Sequence, residues 1–71
     1  MKLVFADNKN AFKVIAEGND IMELISALEQ HRKSMFVYGG TITLPEKIES
    51  GSRYTLASDK EKGMTYFLLS D

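Results

Sequence analysis

The chain has 71 residues, 44% of them hydrophobic and 27% charged, with 9 Lys+Arg against 10 Asp+Glu and a formal net charge of −1. That is the balance of one small globular domain, and it supplies no basic field for phosphate backbones or anionic lipid. No cysteine and one histidine exclude disulfides, thiolate metal sites, a Cys nucleophile and a His-only zinc site.

Lys2–Ala6 reads as the first strand, with Leu3 and Phe5 on one face and Val4 and Ala6 on the other. Asp7-Asn8-Lys9-Asn10 supplies turn chemistry, and Ala11–Ala16 reads as the second strand, with Phe12, Val14 and Ala16 sharing a face. Together they make a hairpin. Gly18-Asn19-Asp20 then opens a helix in which Asp20 and Glu23 form a capping-box arrangement, Asp20 accepting from the Glu23 amide. Ile21, Leu24, Ile25 and Leu28 follow at i, i+3, i+4 and i+7, an amphipathic stripe that runs to Lys33 or Ser34.

Met35–Tyr38 reads as a third strand, interrupted by Gly39-Gly40 through a bulge, a tight bend or a close backbone approach. Thr41–Leu44 resumes the alternation until Pro45 stops it. Glu46–Arg53 is a polar loop with a Ser50-Gly51 turn signal. Tyr54–Ser58 is a further strand, Asp59–Gly63 a charged turn, and Met64–Leu69 a closing strand whose apolar character on both faces predicts a central place. No run approaches the roughly 20 apolar residues of a bilayer span. The start, Met1–Asp7, is charged too soon for a signal peptide, so the expected location is cytoplasmic.

No constellation here carries chemistry. His31 reads as a helix-end cation or a plain surface residue, and His31-Arg32-Lys33 as cations at the negative end of the helix. Gly39-Gly40 lacks the spacing of a phosphate loop. Glu46, Glu49 and Asp59 have no metal-ligand spacing, so neither metal nor cofactor is expected. All seven aromatics fall in predicted strands, most as core, with the tyrosines the exceptions because a hydroxyl prefers a partner or water.

The hairpin Lys2–Ala16, the acidic helix start Gly18-Asn19-Asp20-Ile21 and the run Met35-Phe36-Val37-Tyr38 before Gly39 occur in an order that resembles the first half of a ubiquitin-like β-grasp domain. The resemblance covers the first 40 residues and is one of element order. The conjugating members of that family end in diglycine, whereas this chain ends Leu68-Leu69-Ser70-Asp71; a conjugation role is disfavoured and no site residue is carried over. A different fold, with one helix across a four- or five-stranded antiparallel sheet, fits equally.

The expectation is therefore α+β in the order β-β-α-β-β-β, β-grasp-like as one variant, with one amphipathic helix on a four- to five-stranded, mostly antiparallel sheet. The expected core is Leu3 or Val4, Phe12, Val14, Ile21, Leu24, Ile25, Leu28, Phe36, Leu56 and Leu68. One helix covers one sheet face, which leaves Ile15, Val37, Phe67 and Leu69 for the other, to be covered by a homodimer or a partner. The function expected is a non-enzymatic interaction module. It would be a small regulator, adaptor or inhibitor of a larger protein, of the kind phages and mobile elements encode, binding through a sheet face or edge with Tyr38 or Tyr66 as exposed anchors. The alternative is a nucleic-acid-binding sheet stacking bases on Tyr38, Tyr54 and Tyr66, with Lys13, Arg32, Lys33 and Arg53 on phosphates.

Overall fold

The structure, a computed structural model, describes residues 1–7, 9, 12–37 and 40–70. Its elements are β1 (Lys2–Ala6), β2 (Phe12–Glu17), α1 (Ile21–Ser34), β3 (Arg53–Asp59) and β4 (Met64–Leu69). Two hairpins flank one helix, and the four strands form a single antiparallel sheet in the order β2-β1-β4-β3. β1 and β4 are the inner strands, as the two-sided apolar character of Met64–Leu69 requires.

The helix lies on one face because its apolar stripe has nowhere else to go. Leu24, Ile25 and Leu28 bury against Leu3 and Phe5 of β1, Leu56 of β3, and Met64, Tyr66 and Leu68 of β4. Five leucines, at positions 3, 24, 28, 56 and 68, are fully buried. Deleting any one to alanine would cost about 2–5 kcal/mol. The helix N-cap is Asp20, but its Oδ1 accepts from the Met22 amide at 3.0 Å, not from Glu23; the Glu23 amide instead donates to the Asp20 backbone carbonyl. One orphan donor is satisfied by the side chain either way.

Of the strand expected at Met35–Tyr38, the described part, Met35–Val37, is not a strand, because the helix end uses those three residues. Phe36 donates to the Lys33 carbonyl at 3.0 Å and Val37 to that of Arg32 at 2.9 Å, with Phe36 at φ 59°. This is a Schellman closure with phenylalanine in the left-handed position that glycine usually holds. It turns Val37 back into the core and leaves Phe36 outside. Tyr38 and Gly39 lie outside the described residues. Gly40 has φ 85°, the left-handed backbone that favours glycine, and a Cβ there would stand 2.8 Å from the tip of the Arg32 side chain.

Thr41–Leu44 is not a strand either. Its alternation is that of an extended segment laid beside β3 with one rung, the Thr43 amide donating to the Leu56 carbonyl at 2.8 Å. Ile42 and Ile48 pack inward from this loop, and Pro45 forbids continuation of the ladder. Among the described residues the fold is thus ββαββ: four strands, the lower of the two numbers expected, without the fifth that the order β-β-α-β-β-β called for. The β-grasp variant falls with the missing strand after the helix.

Candidate interaction surface

The sheet has a second face, and the strand register places every side chain on it. Three rows cross the four strands. The first is Glu17, Lys2, Leu69 and Arg53; the second is Val14, Val4, Phe67 and Thr55; the third is Phe12, Ala6, Thr65 and Ser58. No helix covers these residues. Phe12 is 66% exposed and Val14 46%. The Phe12 and Phe67 rings stack with centroids 6.4 Å apart, and the Arg53 guanidinium carbon lies 5.1 Å from the Phe67 centroid. Arginine, phenylalanine and phenylalanine thus form a diagonal ridge over the buried Val4.

Phe12 and Val14 were expected in the core, and a bulge explains why they are not. Leu3 pairs with Ala16 but Val4 pairs with Val14, so Ile15 is the extra residue. The bulge breaks the two-residue period: Ile15 and Ala16 turn toward the helix, while Phe12 and Val14 point away. Ile15 and Val37, expected on the open side, belong to the core, and Phe36, expected in the core, is 76% exposed. Phe67 and Leu69 stand on the open face.

The two tyrosines described are on the helix side. Tyr66 is 2% exposed, and Tyr54 packs against the core with its hydroxyl oxygen accepting from the Glu49 amide at 2.8 Å. Tyr66 therefore offers no face for stacking and no exposed anchor, Tyr54 is half-buried on the side opposite the open face, and Tyr38 lies outside the described residues. Among the described residues, Arg53 is the one expected binding residue on the open face. Lys33 is exposed in the last helical turn. Arg32 lines a pocket of about 240 Å³ with Asp59, Lys60, Glu61 and the edge of Tyr66, where opposite charges offset one another. Lys13 sits opposite Phe5, on the helix side.

His31 is not the helix-end cation its position implied. Its ring lies 4.6 Å from that of Phe5, and its Nδ1 is 2.7 Å from the Tyr66 hydroxyl. Burial holds its pKa below the ordinary 6.5, and the nearby Lys13 charge lowers it further. The same burial raises the Tyr66 phenol above 10, partly offset by Arg32. Two neutral groups sharing one hydrogen bond close the core at the helix end.

Both sheet edges are obstructed. β2 carries its bulge, and β3 carries a second irregularity between Thr55 and Ala57 as well as the Thr43 rung. Such edges resist strand addition. In comparisons with known proteins, the chain matches no family model, no curated protein and no solved structure. Among the described residues, no helix is long and apolar enough to cross a membrane, and no group of three or more His, Asp or Glu side chains is placed to hold a metal ion.

Proposed function

We propose that the chain is a non-enzymatic protein-interaction module, a small regulator, adaptor or inhibitor that docks on a larger protein through the uncovered sheet face. The observation that carries this reading is the stacked Phe12–Phe67 pair on a face without cover, in a domain too small to spare large apolar groups. Covering a phenylalanine side chain from water is worth about 1.5–3 kcal/mol, so the ridge has the composition of an interface anchor. The obstructed edges favour the face over strand addition.

The test is capture of a target from native lysate with wild-type chain and with Phe12→Ala, followed by measurement of affinity for the target identified. Because Phe12 is largely exposed, its truncation leaves the fold intact while target affinity falls by about tenfold or more. Unchanged affinity in a folded Phe12→Ala chain overturns the reading.

A second reading, a single-stranded nucleic-acid platform, draws on the same row, since two phenylalanines beside an arginine are what base stacking requires. It stands on different residues from the tyrosines that the sequence offered. Protein is preferred because Val4, Val14 and Leu69 surround the rings, and Lys2 and Arg53 share the face with Glu17. Oligonucleotide affinity falling steeply with salt would reverse that preference.

A further inference from the structure

This inference rests on the sheet face being the contact surface, and it names an occupant for it. We propose that, in the absence of its target, the chain covers this face with a second copy of itself, related by a two-fold axis parallel to the strands.

The charge arrangement selects that axis. Rotation about it lays β2 of one copy over β3 of the other and keeps each row level. In the first row Glu17 then faces Arg53 of the second copy, once at each margin, and the Lys2 stem covers Leu69. In the middle row Val4 faces Phe67, and Val14 faces Thr55. Aligned sheets pack about 10 Å apart, a gap that a glutamate and an arginine side chain bridge together. The other in-plane axis, perpendicular to the strands, inverts the rows. It would put Glu17 over Phe12 and Arg53 over Ser58, leaving neither charge a counterpart in the other copy. The apolar middle row can meet its copy in either orientation, but only the first pairs the charges across the contact, and that decides between the two isologous arrangements.

Size sets the strength. Four strands about 4.8 Å apart and six residues long at about 3.3 Å each give a footprint of roughly 400 Å² per copy. That falls below the roughly 800 Å² per partner of a standard interface and belongs to the weak, exchanging class. A weak self-contact yields to a larger partner, so target binding and self-association compete for one face.

Sedimentation equilibrium on the full chain, from about 10 μM to about 1 mM, tests this in the range where a weak contact titrates. The average mass rises from one chain toward two. Glu17→Arg and Arg53→Glu each place like charges together and weaken self-association by about tenfold or more. The double variant reverses both charges and restores association to within about threefold of wild type, an expectation for two sites coupled across the contact. Thermal melts establish that each variant folds, and either single variant reports the contact if the other does not. A single-chain mass throughout the range overturns the proposal, as do folded single variants that associate like wild type or a double variant that stays weak. A monomeric chain whose target affinity still depends on Phe12 sinks the self-association alone; a dimer whose target affinity ignores Phe12→Ala sinks the docking reading and leaves the dimer standing.

Discussion

At the scale of single residues, Phe36 and His31 are where local cost is visible. Phe36 holds φ 59° and is 76% exposed, so it gains little by burial in a conformation that costs an L-residue roughly 1–2 kcal/mol. Glycine would remove that cost and return roughly 0.5–1 kcal/mol of it through its freer unfolded state. Phe36→Gly is therefore expected to raise stability by about 0.5–1 kcal/mol in urea unfolding. A destabilised variant would mean that Phe36 makes a contact that its exposure does not reveal. His31 gives the pH dependence. With its folded pKa below 6.5, the unfolded chain binds the proton more readily between those two values. Stability is then full above 6.5 and falls as pH drops through that window. Urea midpoints at successive pH values in wild type and His31→Gln measure the effect; the variant should lose that part of the slope. The sign reverses for Tyr66, whose raised pKa makes stability fall as pH climbs above 10.

At the scale of elements, the helix end is held from outside. Lys62, in the turn between β3 and β4, donates from Nζ to the Met35 carbonyl at 3.4 Å and to that of Phe36 at 3.1 Å. A cation at the negative end of a helix is worth about 0.3–1 kcal/mol when exposed, so Lys62→Ala should lower stability by that amount, less at high salt. No change at low salt would show that the contact contributes nothing. The elements with strong periodicity were legible in the chain: Lys2–Ala6, the stripe of Ile21, Leu24, Ile25 and Leu28, and Met64–Leu69 all stand where their patterns put them. What misled was an apolar run without a framework. Met35–Tyr38 has strand composition, but backbone bonds to Arg32 and Lys33 outrank propensity there. Phe12 and Val14 read as core because a bulge at Ile15 cannot be seen in alternation alone. The open-face ridge was half legible for that reason: Phe67 and Leu69 were placed on it, Phe12 was not. Tyr66 looked like an exposed exception because its partner, His31, is 35 positions away.

At the scale of the whole molecule, one helix is too little cover for two sheet faces. The buried face takes the leucines and the neutral His31–Tyr66 pair; the other keeps a ridge of Arg53, Phe67 and Phe12 in water. The most direct test is a dilution series of amide and methyl NMR spectra from about 1 mM to about 20 μM, a range that brackets a weak contact. A weak contact through the open face gives concentration-dependent shifts at Val4, Val14, Thr55, Phe67 and Leu69, while Leu24, Leu28 and Leu56 on the far side hold still. Shifts confined to α1 and the loop after it, or spectra identical across the series, would contradict it.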